Sequence, residues 1–215
     1  REARELSSSQ TAGKLKEPLL RVTQLWRAYD AKAPNGKIST SSFCCPPGSS
    51  SFNPPTSIVG QGPGQSPSVF NFFSPFYAPP GEIAQAGLVA PELQLANENL
   101  HTNMGWLLHT QTHYRTTRQW KMQGDDNFYI NIEEEMKVAD DVDAVLDMVS
   151  LKLLGSPDAM SPALREQTRA QMRRWKIDPL FQGDNRATNH NNVRQNRVSE
   201  ALYLTVMSPD FAVQR

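Results

Sequence analysis

The sequence lacks an excess of charge of either sign, a long apolar run and more than two cysteines, and each absence excludes a class of protein. Lys plus Arg and Asp plus Glu number 22 each in 215 residues, so no net field attracts nucleic acid or an anionic membrane. No apolar run approaches the roughly 20 residues that are needed to span a bilayer. We therefore expect neither nucleic-acid binding nor a membrane span.

The N-terminus lacks two features that open an exported chain. Its first residues, REARELSSSQ, contain neither a Met nor the apolar core of a signal sequence. We interpret the chain as a fragment of a longer protein. Its length suits one sizeable core, because domains usually contain about 100 to 150 residues. We expect a single unit over residues 1–215.

The two cysteines, Cys44 and Cys45, are adjacent in the sequence. Neighbouring Cα atoms lie about 3.8 Å apart, short of the roughly 4.4 to 6.8 Å of an ordinary disulfide, so a bridge between them would be strained. No Lys, Arg or His lies within five residues to lower a thiol pKa. We expect free thiols or bonds to other parts of the protein rather than a functional redox pair.

Apolar residues recur at steps of three and four in several segments, which is the pattern of amphipathic helices. In the first, over residues 17–31, Leu19, Val22 and Trp26 share one face. The other segments show Pro or acidic residues near their start, or Gly or Pro beyond their end, as helix ends do. Three of them run from Pro91 to about residue 114, from Asp140 or Asp141 to Gly155, and from Ser161 to about Trp175. A last helix ends before Ser208.

Three stretches between these helices are assigned differently. Alternating apolar residues over 128–132 predict a short strand. The acidic run 133–135 is most simply a solvated face, and residues 178–192 form a polar connection. Five candidate helices and at most one short strand predict an all-α fold.

A long irregular connection separates the first two helices. From Lys32 to Pro91, with Pro91 included, lie 11 of the 16 prolines and seven of the 12 glycines, without a sustained period. Sixty structureless residues are unusual inside a compact domain, so part of this connection should pack in order. The predicted architecture is an irregular helical bundle with a Pro/Gly/aromatic-rich embedded loop over 32–90 and a helical region over 91–215.

Five aromatic rings fall within eight residues of that loop: Phe70, Phe72, Phe73, Phe76 and Tyr77. If residues 69–73 run extended, rings project from both faces and the segment must be sandwiched. In this leading interpretation the rings tie the loop to a helical core, and replacing Phe72 and Phe73 by Ala would unfold the protein. In the alternative, the rings stay exposed as a platform for a ligand or partner.

The only metal-like spacing is found in NENLHTNMGWLLHTQTHYR. Helical geometry places Glu98 beside His101, and His109 beside His113. His101 and His109 are about 12 Å apart along the axis, too far for one ion. The two pairs could contribute to separate divalent-metal sites with ligands from elsewhere. Because the apolar residues centre on the opposite face, we favour a solvated polar face for all four and expect no evident cofactor.

No other stretch carries a catalytic signature. The sequence contains no HExxH, no GxSxG elbow and no GxxxxGK[ST] phosphate loop. The acidic clusters near Asp125 and Asp141 do not fit a calcium loop.

Three segments together resemble one family. GKLKEPLLRVTQLWRAYDA, SPSVFNFFSPFYAPPGEIAQAGLVAPELQL and RVSEALYLTVMSPDFAVQR, at residues 13–31, 66–95 and 197–215, are similar in kind and order to the large bacterial family known as domain of unknown function 1800. The middle segment is the most specific of the three. Residues 34–62, which include both cysteines, depart from the pattern and resemble an insertion.

The resemblance implies a cellular location and partners rather than a reaction. Members of that family look like exported proteins and are often encoded beside a second, sulfatase-like family. Their activity is not established, so no catalytic residue carries over. The resemblance also implies that this chain is the C-terminal part of its protein, with the remainder of that chain and a sulfatase-like protein as expected partners.

Three functions follow from these observations. The leading hypothesis is an exported helical scaffold or binding module that is not an enzyme. The alternative is a metal-assisted hydrolase whose site is shared between a missing N-terminal portion and the residues Glu98, His101, His109 and His113. A third interpretation, a binder of saccharides or other polymers through the aromatic loop, requires exposed rings.

Overall fold

The computed structural model describes residues 13–32, 59–62, 64–114, 116, 129–177, 180 and 184–214. Cys44, Cys45 and Phe128 lie outside these residues. Within them, no helix is both long enough and apolar enough to cross a membrane.

The described residues form eight α-helices and one antiparallel pair of short strands. The helices are α1 (Pro18–Ala28), α2 (Glu82–Gln85), α3 (Glu98–His109), α4 (Glu133–Lys137), α5 (Val142–Leu154), α6 (Pro162–Met172), α7 (Asp184–Met207) and α8 (Pro209–Ala212). The strands are β1 (Lys14–Leu15) and β2 (Val213–Gln214), a 3₁₀ turn (Pro91–Leu95) precedes α3, and a π-turn (Thr110–Tyr114) follows it. The prediction of an all-α fold is confirmed.

The caps that the sequence predicts around α5 and α6 are present. The Asp141 carboxylate accepts hydrogen bonds from the first amides of α5, Asp143 N–H at 3.0 Å and Ala144 N–H at 3.2 Å. Gly155 ends α5 with a φ of 91°, a left-handed conformation that glycine adopts without strain. Ser161 accepts from Leu164 N–H at 3.4 Å. These ends were predictable because caps depend on neighbouring residues only.

Two helices differ from their predicted bounds. The helix expected over residues 91–114 is interrupted, because the Asn97 side chain accepts the Leu100 N–H at 2.9 Å and starts α3 there. The prediction of a polar connection over residues 178–192 is wrong from residue 184 onwards, since α7 begins at Asp184. On that helix His190 and Arg194 both pair with Asp140, a partner that lies far away in the sequence.

The predicted strand near residue 130 is absent from the described residues. Tyr129 and Ile130 form single bridges instead, with Lys32 and Thr116. Both side chains are buried, so the alternating pattern reflected burial rather than a continuous ladder.

Contacts divide the chain into two compact units. Among described residues, unit 1 contains 13–23, 59–107 and 212–214, and unit 2 contains 24–32 and 108–211. The expectation that residues 1–215 fold as a single unit stays a prediction.

Unit 1 brings the two ends of the described chain together. Lys14 pairs with Gln214 and Leu15 with Val213 in the antiparallel ladder. Lys14 also forms a 2.8 Å ion pair with the buried Glu92 at the start of the 3₁₀ turn. The hydrogen bond to Glu92 raises the pKa of the Lys14 ammonium, as expected for a cation beside a carboxylate.

Unit 2 has its core where α5, α6 and α7 pack on one another. The apolar side chains buried there include Val145, Leu146 and Val149 of α5, Met172 of α6, and Val198, Ala201 and Leu202 of α7. These residues follow the helical spacing of the sequence, so this part of the core was predictable.

Unit 2 also buries a carboxylate that the sequence did not single out. Glu135 was expected on a solvated face, yet its side chain is fully buried. Lys152 of α5 contacts it, with 2.5 Å between Nζ and Oε1, and Lys152 Nζ also lies 4.8 Å from the centre of the Tyr29 ring. Burial and the Glu135 charge hold the pKa of the Tyr29 phenol well above its usual value.

Replacing Lys152 by Met should lower the free energy of unfolding by about 3 to 5 kcal/mol, because the Glu135 charge would stay buried without its partner. The double variant Glu135→Leu, Lys152→Met removes both charges and should recover most of that loss. Chemical denaturation at pH 7 measures both.

Lys137→Met is the matched control. Its partner Glu134 is exposed. Solvent screens this ion pair, so its loss should leave the denaturation midpoint unchanged. Equal losses in the single and double variants would contradict the buried ion pair.

Candidate functional site

The aromatic loop, residues 68–77, begins with a β-turn. Asn71 N–H donates to Ser68 O at 3.3 Å, and Ser68 Oγ accepts the Phe70 N–H at 3.1 Å. Asn71 has a φ of 70°, a left-handed conformation that Asn tolerates better than most residues. The chain therefore reverses at Val69 and Phe70 rather than running extended through residue 73.

A second β-turn follows directly. Tyr77 N–H donates to Ser74 O at 3.1 Å. Pro75 takes the second position of this turn, where its fixed φ is favoured, and Phe76 takes the third. In both turns an aromatic ring therefore sits at a central position, away from the hydrogen bond that closes the turn.

One carboxylate oxygen fixes the first turn in unit 1. Oε2 of Glu17 accepts from Asn71 Nδ2 at 2.8 Å and from Gln61 Nε2 at 2.7 Å. Gln61 is buried, and its Oε1 accepts the Leu19 N–H at 3.1 Å. Gln61 thus satisfies an amide in the first turn of α1 that has no partner within the helix.

The second turn has anchors of its own. Gln94 Oε1 accepts the Ser74 N–H at 2.7 Å, and Ala90 N–H donates to Tyr77 O at 2.8 Å. The latter bond brings residues 88–89 next to the turn. Polar contacts therefore hold the loop at both turns.

The side chains at the turn centres remain exposed. Phe70 is 60% exposed and Phe76 83% exposed. Val69 of the loop and the neighbouring Leu88 and Val89 are exposed as well. Val69, Phe70, Phe76, Leu88 and Val89 are therefore exposed apolar side chains at or beside the two turns.

The five rings do not lie in a core as the sequence led us to expect. The prediction of burial is wrong for Phe70 and Phe76, which are exposed, and Phe72, Phe73 and Tyr77 are only partly buried. The physical reason is the turn geometry, because central turn positions point away from the residues that pin the backbone. Replacing Phe72 and Phe73 should therefore cost less than the roughly 3 to 5 kcal/mol of a fully buried ring.

The four candidate metal ligands are distributed over two different environments. Glu98 and His101 lie exposed on the first turn of α3. His109 and His113 are half-buried in unit 2, where their rings stack 4.2 Å apart and 15° from parallel. They do not form a solvated face, because Tyr203 of α7 packs edge-on against both rings.

The π-turn begins directly after His109 and contains His113. The two residues are four apart, a spacing that brings side chains together on one helical face. The buried polar side chains of the π-turn find partners within unit 2. Trp26 Nε1–H donates to Gln111 Oε1 at 3.0 Å, and Thr112 Oγ1 donates to Leu108 O at 3.0 Å.

These contacts set the protonation of His113. Because the Thr112 hydroxyl proton is directed at a carbonyl, the 3.0 Å contact between Thr112 Oγ1 and His113 Nδ1 places the ring proton on Nδ1. Burial, and then the charge of His109, lower the pKa of His113 to about 4. The ring is therefore neutral at pH 7.

The stacked pair does not chelate one ion. Imidazole lone pairs lie in the ring plane, so two nearly parallel rings direct them side by side instead of towards a common point. Among the described residues, no three His, Cys, Asp or Glu side chains are grouped to hold a metal. A metal site that uses Glu98, His101, His109 or His113 stays a prediction.

Sequence reasoning missed four contributors to these sites. Glu17, Gln61 and Gln94 hold the loop, and Tyr203 packs on the histidines. Glu17 lies beside Pro18 at the helix start, which was the only local signal. The other three act through contacts across 20 or more residues, which no local pattern reveals.

Comparison with known proteins identifies a family but no activity. Residues 1–213 match the model of the family described as protein of unknown function, DUF1800. This confirms the resemblance seen in the sequence. No curated protein and no solved structure matches the chain.

Replacing Asn71 by Ala should lower the free energy of unfolding by about 1 to 3 kcal/mol, because the bond to Glu17 is lost and Ala is strained at this φ. Asn71→Gly loses the same bond without the strain and should cost roughly 1 kcal/mol less. Denaturant midpoints distinguish them. Val69→Ala, at an exposed position of the same turn, is the control, and equal losses for Ala and Gly at residue 71 would argue against the left-handed turn.

The stability should fall as the pH drops from about 7 to about 4. The unfolded state binds a proton on His113 near its ordinary pKa of about 6.5, whereas the folded state does so only near 4, so acid favours unfolding in this window. The effect is at most about 3 kcal/mol and less after solvent screening.

His113→Phe keeps a ring in the stack and removes the titration. Its unfolding free energy should depend less on pH between about 6.5 and 4 than that of the wild type. His101→Gln, on the exposed turn of α3, should leave the profile unchanged. Identical profiles for wild type and His113→Phe would overturn this assignment.

Proposed function

We propose that the chain, which belongs to the DUF1800 family, is an exported binding module whose aromatic loop contacts another protein. The observation that carries this proposal is the combination of two exposed rings, Phe70 and Phe76, with a backbone that is pinned on both turns.

The protein would gain stability if these rings were buried, and the need to anchor the loop does not explain why they are exposed. Burying a Phe side chain stabilises a protein by roughly 1.5 to 3 kcal/mol relative to leaving it in water. Because hydrogen bonds that Asn71 and Ser74 donate to Glu17 and Gln94 already hold the turns, the rings at the turn centres are not needed as anchors. A contiguous exposed apolar patch is typical of an interaction site, and we propose that the two rings belong to one.

The anchored turns also favour binding. A loop that is ordered before it meets its partner loses less conformational entropy on association, and the gain appears as affinity. Phe is among the aromatic residues enriched at protein interfaces. The two turns thus present aromatic rings on an ordered backbone, as expected of the anchors of an interface.

The expected partner and location come from the family resemblance alone. Exported relatives are often encoded beside a sulfatase-like protein, and we propose that protein as the partner that the aromatic loop contacts. The remainder of the chain's own protein is the competing occupant of the same surface.

Replacing both Phe70 and Phe76 by Ser should weaken binding to the purified sulfatase-like protein by about 100-fold, as expected when two interface anchors are lost. Isothermal titration calorimetry on the full-length protein measures the affinity. The melting temperature should stay within a few degrees of the wild type, because both rings are exposed.

Leu180→Ser is the matched control. Leu180 is an apolar side chain 84% exposed in unit 2, and its replacement should leave the affinity unchanged. Undiminished binding by the double Phe variant would refute the role of the loop, and binding by the full-length protein only after its N-terminal portion is removed would identify that portion as the occupant.

A further inference from the structure

Residues 64–70 of unit 1 project into the solvent. All seven are exposed. Their described hydrogen bonds stay within three residues: Gln65 N–H to Gly62 O, Ser66 Oγ to Ser68 O, and Phe70 N–H to Ser68 Oγ. None of these bonds reaches a helix or a strand. The segment is therefore ordered only by its own turns and by what holds its two ends.

Both ends of this segment meet at one oxygen. Gln61, before its start, is buried, and Phe72, after its end, is half-buried. Glu17 Oε2 accepts from Gln61 Nε2 on one side and from Asn71 Nδ2 on the other. Among the described residues, the bond from Asn71 to Glu17 is the one hydrogen bond that joins residues 64–71 to a different part of unit 1. The Asn71 end of the segment thus depends on a single bond.

Two effects oppose the attached state of this end. The φ of Asn71 is 70°, a conformation that L-residues adopt at a cost, so detachment relieves strain. Residues that are released also regain conformational entropy. Against these effects stands one bond to a charged acceptor, which is stronger than a bond between neutral groups. Segments balanced in this way open and close locally while the rest of the domain stays folded.

We propose that Glu17 is a conformational clasp for residues 64–71. In the closed state Asn71 Nδ2 bonds the carboxylate, and the first turn presents Phe70. In the open state that bond is broken, and residues 64–71 move as one local unit. The start of α1 is the same in both states, because Gln61 bonds it independently of Asn71.

The second turn stays closed when the first turn opens. Ser74 N–H donates to Gln94 and Ala90 N–H to Tyr77 O, and neither bond involves Glu17. The rings at the two turn centres are therefore controlled separately. The consequence for binding rests on the proposed function. A partner that needs both rings binds only the closed fraction of molecules, so its apparent dissociation constant rises as the clasp opens.

Hydrogen exchange of the full-length protein tests the clasp without a partner. Mass spectrometry after rapid labelling compares peptides from residues 66–73 with peptides from residues 74–90. Glu17→Gln replaces the charged acceptor by a neutral one, and Asn71→Asp replaces the donor by a second carboxylate. Each variant should speed the exchange of the protected amides in 66–73 by about 10-fold or more, as expected when a bond to a charged group is lost. Exchange in 74–90 and in α3 should stay unchanged.

The double variant Glu17→Gln, Asn71→Asp re-forms the bond in the opposite direction. The new amide at position 17 donates to the new carboxylate at position 71 and still offers its oxygen to Gln61. Exchange in 66–73 should therefore return to within about threefold of the wild type. Glu82→Gln, at the exposed start of α2 in the same unit, is the matched control and should change nothing.

Three results would overturn the clasp. Equal acceleration in 66–73 and 74–90 would show that the loop opens as one unit. No acceleration in either single variant would show that Glu17 does not hold the turn. A double variant that exchanges as fast as the single variants would place the effect at the start of α1 instead of at the bond to Asn71. Because this measurement uses no partner, these results leave the proposed function standing, whereas undiminished binding by the double Phe variant refutes that function and leaves the clasp.

Discussion

A single carboxylate oxygen determines how unit 1 presents its loop. Oε2 of Glu17 receives two side-chain amides, from Gln61 and Asn71, and hydrogen bonds to a charged acceptor are stronger than those between neutral groups. Gln61 in turn satisfies an amide at the start of α1. The helix start, residue 61 and the first turn of the loop are therefore coupled through one acceptor, and the loop has no need of its rings as anchors.

Unit 2 depends on buried polar contacts in a similar way. Glu135 is buried beside Lys152 and Tyr29, and the π-turn buries Thr110, Gln111 and Thr112. Each such group would be costly without a partner. Lys152 offsets the charge of Glu135, and Gln111 and Thr112 have the partners described above. In the same unit His113 packs against His109 and Tyr203. The histidine stack is thus a consequence of backbone geometry and packing.

Much of the fold could be predicted from local patterns. The caps at Asp141, Gly155 and Ser161 depend on side chains within a few residues of the helix ends, and the apolar spacing of α5 and α7 marks their buried faces. The break at Asn97 was missed although its cap is local. The early start of α7 was missed because residues 184–192 carry no apolar period. Glu135 was misjudged because an acidic run is usually solvated. The cost of burying its charge is offset only by a Lys from another helix.

In the candidate site, too, some features depend on neighbouring residues and others on distant contacts. By itself, the sequence determined that the chain is all-α, that it belongs to its family, and that five rings cluster in a loop without catalytic residues beside them, because composition, spacing and motif order are properties of neighbouring residues. The tertiary structure decided that Phe70 and Phe76 face solvent and that His109 and His113 lie half-buried against Tyr203 rather than on a solvated face. Those outcomes depend on Glu17, Gln94 and Tyr203, whose contacts with them span 20 or more residues, and burial is set by such distant contacts rather than by residue type.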